Sequence, residues 1–295
     1  MTSALEQRYR RLLRAYPKVY REQHGDELIG TLLDVAGPDR HRPTLREAAS
    51  LLTGGLTARA ASRPTGAPWW ADGIHLGILA VAAATVAMNV HIVPYPIHAV
   101  WTSLMLLLLV AITLGWTRAA LPLALVVTFQ VSRPLIYEIA DIPIPYYGPG
   151  LGDISALMPY WLIVAGLAIL AFRSTPSPSK ARISRWVQTM PARSWLWLLF
   201  PLQYWVLQST EFGMPTRSAL EILALLVVLF ATIAARDARW ALAATIYLFP
   251  GLVYIAENAT NLGARGMAYW GVLTTLLTAA LAAAYRTRKR NPSPT

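Results

Sequence analysis

The sequence contains no cysteine and few charged residues, which make up only 14% of the chain. The lack of cysteine excludes disulfides, thiolate nucleophiles and thiolate metal sites. Hydrophobic residues account for 55% of the 295 positions, a larger share than soluble domains usually carry. Together these proportions indicate a polytopic membrane protein. The net charge of +11 then matters through where the basic residues lie relative to the apolar segments.

The sequence also lacks the short motifs of common catalytic and metal sites. It contains neither a His-Glu-x-x-His set nor a Gly-x-Ser-x-Gly nucleophile turn. His75, His91 and His98 lie near the first two apolar segments, but His75 falls towards one end and the other two flank the loop at the opposite end, so we expect no zinc site. We therefore predict a non-enzymatic protein without catalytic residues, metal or cofactor.

Residues 1–66 are charged and precede the apolar segments. Their stretch RYRRLLRAYP, residues 8–17, packs four arginines into ten positions. Export signals continue directly into an apolar run and a cleavage site, whereas more charged residues follow here. The stretch therefore belongs to a retained domain.

Capping boxes, Ser3 with Glu6 and Thr44 with Glu47, place two helix starts in this domain. The apolar periodicity predicts three amphipathic helices. The first ends near Pro17, the second spans about 19–36, and the third runs from 44 to about 60. We expect their apolar faces to be held together by leucines, namely Leu12, Leu28 and Leu32. So small a core is expected to complete its burial against a partner, the membrane face or a second copy in a homo-oligomer.

Eight segments after residue 66 are apolar and approach the roughly 20 residues that a helix needs to cross a bilayer. They are residues 72–91, 97–115, 119–137, 154–172, 195–211, 219–235, 239–256 and 267–285. None alternates apolar with polar residues as a transmembrane strand does. The predicted fold class is all-α, a polytopic membrane protein with about eight transmembrane helices and a small cytoplasmic domain of three helices.

Basic residues after residue 66 are divided unequally between the two sides of these segments. One side holds most of them: Arg118, Arg173, Lys180, Arg182, Arg185, Arg193, Arg236, Arg239, Arg286, Arg288, Lys289 and Arg290. The other side holds Arg133, Arg217 and Arg265. Because basic residues accumulate on the cytoplasmic side, both termini are predicted to be cytoplasmic.

The chain divides into a helical domain, two membrane halves, a linker and a tail. The predicted boundaries are 1–66 for the domain, 67–173 and 195–286 for the four-helix halves, 174–194 for the cytoplasmic linker and 287–295 for the basic cytoplasmic tail. The linker contains STPSPSKARIS, residues 174–184, whose proline and serine content is typical of flexible segments.

Two pairs of similar stretches raise the question of a duplication. LIYEIAD (135–141) resembles LVYIAEN (252–258), and each precedes a span that opens with MPYW (158–161) or MAYW (267–270). Four spans return the chain to its starting side, so the halves would be parallel copies. Chance similarity between short apolar stretches explains the matches equally well.

The N-terminal residues carry a resemblance to a known module. LEQRYRRLLRAYP, YREQHGDELIGTLLD and RPTLREAASLLTGGLTAR resemble the HAAS domain, the helix-turn-helix-associated alpha-helical signalling domain, over residues 4–60. Such modules are fused to membrane regions and accompany PadR-like transcription regulators. The resemblance implies a cytoplasmic adaptor of a bacterial plasma-membrane protein and assigns no catalytic residue.

Arg8, Arg11 and Arg14 lie on the polar side of the first helix and are the predicted contacts for a partner or for anionic lipid. A solvated basic face is the alternative interpretation. We do not expect direct nucleic-acid binding, because acidic residues are interspersed and no base-reading module is present.

A second candidate site is an outward-facing pocket. Ionisable and aromatic side chains cluster there: Arg133, Tyr137, Glu138, Asp141, Tyr254 and Glu257. Carboxylates near membrane depth tend to face a cavity or a partner. Prolines around Pro134, and the pair Pro250-Gly251, predict irregular backbone in both halves. The alternative is that these groups are hydrated at headgroup level beside an aromatic belt.

The sequence favours a signalling or scaffold protein that couples a membrane event to a cytoplasmic transcription regulator. The alternative is a small transporter or permease-like bundle, in which the outward pocket would receive the solute.

Overall fold

A computed structural model describes residues 4–36, 40–61, 68–89, 99–140, 149–173, 190–194, 198 and 213–290. The regular structure in these ranges is helical, and no strand occurs in them. The all-α prediction is thus confirmed for the described part of the chain.

The described part of the N-terminal domain contains three α-helices and a short 3-10 turn. Helix α1 spans Ala4–Leu12 and continues into the turn Leu13–Ala15, α2 spans Lys18–Ala36, and α3 spans Leu45–Ala61. At the start of α3 the backbone N–H of Thr44 donates to Glu47 at 2.9 Å, and the backbone N–H of Glu47 donates to the Thr44 hydroxyl at 3.2 Å. This confirms the second capping box, whereas Ser3 lies outside the described residues.

The core of this domain is small. Its buried members are Leu5, Tyr9, Leu13, Ile29 and Leu51. The predicted leucines Leu12, Leu28 and Leu32 pack against this core but are only half-buried. The predicted leucines thus lie on the sides of the helices that face the core, but neighbouring residues such as Leu13 and Ile29 form its buried centre.

Beyond this domain, eight helices have defined bounds within the described ranges. They are α4 Trp69–Asn89, α5 Ala99–Thr113, α6 Thr117–Val131, α7 Arg133–Ala140, α8 Ile154–Phe172, α9 Gly213–Ala235, α10 Arg239–Asn258 and α11 Ala264–Arg290. Among them α4, α8, α9, α10 and α11 are long and apolar enough to cross a membrane, and α6 with α7 adds a sixth if the bent pair is one span. These helices indicate a multi-pass membrane protein. Of the predicted span 195–211, only residue 198 is described.

Helix α4 is the centre of the bundle. It packs against α5, α8 and α10, and its contact with α10 is the most extensive between any two described helices. A Cβ on Gly73 would lie 3.0 Å from the backbone oxygen of Arg239, and one on Gly77 would lie 2.7 Å from Cβ of Ile246. Small residues four apart let two helix backbones approach closely. Through α4 and α10 the two predicted halves pack directly on each other.

The two halves do not share one packing scheme. Helix α8 packs mainly on α6, whereas α11 packs more extensively on α9 than on α10. A duplication that pairs α8 with α11 would make α6 and α10 equivalent, and α11 would then be expected to pack mainly on α10. The duplication therefore stays a prediction.

Within the described residues, the predicted backbone irregularity occurs near Pro134 and does not occur at Pro250-Gly251. Helices α6 and α7 meet at an angle of 67°. Pro134 in the first turn of α7 is compatible with this break. In contrast, α10 runs without interruption through Pro250, so the prediction for Pro250-Gly251 was wrong. Gly251 instead makes room for the ring of Trp270 on α11, which would lie 2.1 Å from a Cβ at that position.

Candidate functional site

Five side chains form a charged cluster where α4 and α10 begin. They are Asp72, His75, Arg193, Asp237 and Arg239, and we call this set the charged cluster. Asp72 belongs to the first turn of α4, where a carboxylate is favoured by the helix dipole. His75 lies nearly one turn further on, so both side chains can face the same neighbours.

Asp72 is the centre of the charged cluster. One carboxylate oxygen accepts from Arg193, and the other lies 2.7 Å from Nη1 of Arg239. Arg239 is the first residue of α10 and also lies 3.3 Å from Asp237, which accepts its backbone N–H at 3.1 Å. Asp72 is fully buried, and Arg239 and Asp237 are almost so. The carboxylate thus bridges two guanidinium groups that come from distant parts of the chain.

Arg193 joins the charged cluster from the short segment 190–194. Its backbone N–H donates to Thr113 at 2.7 Å, and that of Met190 donates to Gly115 at 3.3 Å. Gly115 has φ +75° and approaches Met190 so closely that a Cβ would clash with its carbonyl, so both conformation and space require glycine here. Burial lowers the pKa of Arg193, and the carboxylate of Asp72 opposes this effect. The predicted cytoplasmic linker therefore ends in a segment fixed to the turn between α5 and α6.

The hydrogen bonds of His75 define its tautomer. Nε of Arg193 lies 3.4 Å from Nδ1 of His75, and because a guanidinium only donates, Nδ1 must accept. Nε2 therefore carries the hydrogen and donates to the backbone oxygen of Ile112 at 2.8 Å. His75 is a neutral connector between α4, the end of α5 and Arg193. No group of acidic and histidine residues suited to a metal ion occurs in the described part of the chain.

Aromatic side chains extend the contacts around the start of α4. The guanidinium of Arg288 lies 4.5 Å from the ring centroid of Trp69, and that of Arg173 lies 5.7 Å from the ring centroid of Trp70. Such cation–π contacts are favourable within about 6 Å. The charged cluster itself balances two carboxylates with two guanidinium groups in a buried environment. Its chemistry suits holding helices together rather than receiving a substrate.

The arginines predicted on the first helix lie in different surroundings. Arg11 and Arg14 are exposed, and both line a cleft between α1 and α2. Arg8 is half-buried and does not line it. The backbone oxygen of Arg14 also accepts a hydrogen bond from Arg59 of α3.

The residues predicted for the outward pocket are largely exposed. Tyr137 and Glu138 lie on the exposed surface of α7, and Tyr254 lies on the exposed surface of α10. Glu257 accepts the backbone N–H of Ser155 at 3.2 Å and so satisfies a free donor at the start of α8. This contact joins the two predicted halves at the end opposite the charged cluster. Arg133 is half-buried, and its Nη2 would lie 3.3 Å from a Cβ added to Gly150. Asp141 lies outside the described residues.

Sequence reasoning missed a carboxylate inside a predicted span. Glu221 of α9 accepts from the hydroxyl of Tyr269 and lies 3.5 Å from the hydroxyl of Tyr247. Asp72 was missed too, because it stands at the boundary of an apolar segment. In both cases the sequence signal was an acidic residue within a predicted apolar span, because such a residue needs a partner inside the protein.

Comparison of the chain with protein-family models, with curated proteins and with solved structures finds no match.

Proposed function

We propose that the chain is a non-enzymatic signalling scaffold of the bacterial plasma membrane. In this proposal the N-terminal helices are a HAAS-type adaptor that couples a change in the membrane bundle to a PadR-like cytoplasmic transcription regulator. The observation that carries the proposal is the packing of α3 against α9, a membrane helix far away in sequence. A domain packed on a membrane helix can respond to its movement.

The arrangement around α4 supports the same proposal. Helix α4 follows α3 along the chain, and the charged cluster links its first turn to α10 and to segment 190–194. Movement between α4 and α10 would therefore act on the chain close to the N-terminal domain. Packed elements with alternative arrangements are the usual carriers of such coupling.

The proposed topology has eight spans and both termini in the cytoplasm. The charge asymmetry of the loops supports this orientation. Reporter fusions after Lys180 and after Thr295 should both be cytoplasmic, and a fusion after Gly150 should be external. Opposite locations for the two cytoplasmic fusions would reject the eight-span arrangement.

The proposed adaptor surface includes Arg8, Arg11 and Arg14. Reversing all three to glutamate should leave the protein folded, because Arg11 and Arg14 are exposed and none of the three is fully buried. Substitutions at exposed positions usually change stability by about 0.5 kcal/mol each. Association with an acidic regulator surface should weaken, and the unchanged protein should bind less well at high salt, because exposed charges are screened over about 8 Å.

The experiment compares DNA-binding proteins captured by the full-length chain and by this triple variant, together with the transcripts that each variant changes. We expect a regulator that is recovered with the unchanged protein and depleted with the variant, with altered expression of its target genes. A variant that captures the same regulators and changes no transcripts would reject the adaptor surface.

A small transporter is the second candidate, and Glu221 favours it. A carboxylate held by tyrosine hydroxyls between three membrane helices resembles the ionisable groups that line solute or proton pathways. A transporter built from parallel repeats would also explain the predicted duplication of the two membrane halves. A neighbouring gene for a transcription regulator would favour signalling, whereas one for a nucleotide-binding ATPase would favour transport.

A further inference from the structure

A basic cleft of about 430 Å³ lies between α1, the 3-10 turn and α2. This volume falls within the range of small-molecule sites. Its charged lining consists of four arginines and one aspartate: Arg10, Arg11, Arg14, Arg21 and Asp26. We call it the arginine cleft.

The positive charge of the arginine cleft is only partly balanced by the protein. Arg10 pairs with Glu6 at 3.0 Å and with Asp26 at 3.2 Å. Within the described ranges, no carboxylate lies within ion-pair distance of Arg11, Arg14 or Arg21. Nε of Arg21 is buried and has no hydrogen-bond partner there. A buried donor without an acceptor is costly, and an anion in the arginine cleft would supply that acceptor.

Gly25 keeps the arginine cleft open. It is a buried lining residue in the middle of α2, where glycine is among the least favourable helix residues. A Cβ at Gly25 would meet only Cβ of Arg21, at 4.0 Å, so the backbone would tolerate a side chain. A larger side chain would occupy the arginine cleft instead. Gly30, on the same helix, is exposed and has no neighbour within 4 Å of its added Cβ, so it offers a matched control.

We propose that the arginine cleft binds a phosphate-bearing anion, with Arg11, Arg14 and Arg21 as donors. Guanidinium groups match phosphate oxygens in charge and geometry, and three of them favour a multiply charged group over a single carboxylate. The phosphate could belong to a soluble metabolite or to an anionic lipid headgroup. This inference does not depend on the proposed partnership with a regulator.

The test is calorimetric titration of inorganic pyrophosphate into the full-length protein in phosphatidylcholine nanodiscs. We expect saturable binding that weakens at high salt. Arg21→Gln and Gly25→Leu should each weaken binding at least about tenfold, which corresponds to about 1.4 kcal/mol. Arg46→Gln removes the same charge at an exposed position of α3 outside the arginine cleft, and Gly30→Leu adds the same side chain elsewhere on α2. Both controls should bind like the unchanged protein.

Three results would overturn the proposal: no saturable binding, binding that survives both cleft variants, or equal weakening by the controls. A thermal melt identifies variants that do not fold, and Arg14→Gln replaces Gly25→Leu if leucine is not tolerated. Nanodiscs that contain phosphatidylglycerol then distinguish the sources of phosphate. Competition by this lipid assigns the arginine cleft to headgroups, and unchanged affinity for pyrophosphate assigns it to a soluble anion.

Discussion

Replacing Asp72 with asparagine tests whether the charged cluster holds α4, α10 and segment 190–194 together. The substitution removes the carboxylate that bridges Arg193 and Arg239 and leaves the shape of the side chain almost unchanged. Breaking a buried ion pair by neutralising one partner typically costs 3–5 kcal/mol, because the remaining charge stays buried without compensation. Arg239 retains Asp237 as a partner, so Arg193 should be the group that is released.

Trypsin provides a direct assay for this release, since it cleaves after arginine and must take up the side chain of Arg193. In the folded protein Arg193 is held by Asp72 and by its backbone bond to Thr113. If cleavage follows the population of the open segment, a loss of 3 kcal/mol raises the cleavage rate about 100-fold. The assay is limited proteolysis of the full-length protein in detergent, with the fragment ending at Arg193 quantified by mass spectrometry.

Glu138→Gln is the control, because it neutralises an exposed carboxylate on α7. It should change neither the melting temperature nor the cleavage after Arg193. The reasoning fails if Asp72→Asn behaves like this control. It also fails if an unrelated stabilising substitution, added to Asp72→Asn, returns the cleavage to the rate of the control, since the cleavage would then come from global unfolding and not from local release of Arg193.

Three further predictions concern the N-terminal domain and the helix contacts. The backbone N–H of Thr44, with other hydrogen bonds, lowers the pKa of Glu47 to about 2. The ionised Glu47 therefore stabilises the folded domain fully above its unfolded pKa near 4.5, and this stabilisation is lost as pH falls towards 2. Hydrogen exchange in α3, corrected for intrinsic rates, should show this loss in the unchanged protein but not in Glu47→Gln. Leu13→Ala should destabilise the domain by about 2–5 kcal/mol and more than Leu12→Ala, since only Leu13 is fully buried; equal melts would contradict the core assignment. Gly77→Ala should lower the stability of the protein by about 1–3 kcal/mol, because the added methyl group pushes α4 away from α10. Gly271→Ala places its methyl group in open space and should not destabilise the protein. Equal melting temperatures for the two variants would contradict the close α4–α10 contact.

The sequence predicted local structure well where periodicity and capping agree. The bounds of α2 and α3 match their predictions closely, and the Thr44–Glu47 capping box correctly placed the start of α3. The break between α6 and α7 could be expected from Pro134, but the continuity of α10 through Pro250 could not. Whether a proline breaks a membrane helix depends on neighbouring helices, which local sequence does not contain.

The charged cluster was not predictable from composition and loop charge. Arg193 and Arg239 were interpreted as topology determinants, yet both side chains pair with Asp72. A count of basic residues cannot separate hydrated charges from internally paired ones. Pairing required contacts between residues more than 100 positions apart. The packing of α4 on α10 brings Arg239 to Asp72, and the bonds of segment 190–194 to the turn between α5 and α6 bring Arg193 there.

The first turn of α4 leads to a last prediction, which joins the charged cluster to the N-terminal domain. This turn receives contacts from four distant basic residues: Arg173, Arg193, Arg239 and Arg288. Helix α3 precedes α4 along the chain and also packs on α9. If the charged cluster fixes the position at which the chain enters the bundle, Asp72→Asn should increase hydrogen exchange in the last turns of α3 as well as in α4.

The matched variant for this measurement is Gly77→Ala, which disturbs the α4–α10 contact more than one turn further along α4 and leaves the ion pairs in place. Exchange in α3 should respond to Asp72→Asn more than to Gly77→Ala at equal loss of stability. If α3 is held by α9 alone, neither variant will change its exchange while α4 becomes less protected. That outcome would separate the N-terminal domain from the charged cluster and leave the α3–α9 contact as the one remaining route for coupling among the described contacts.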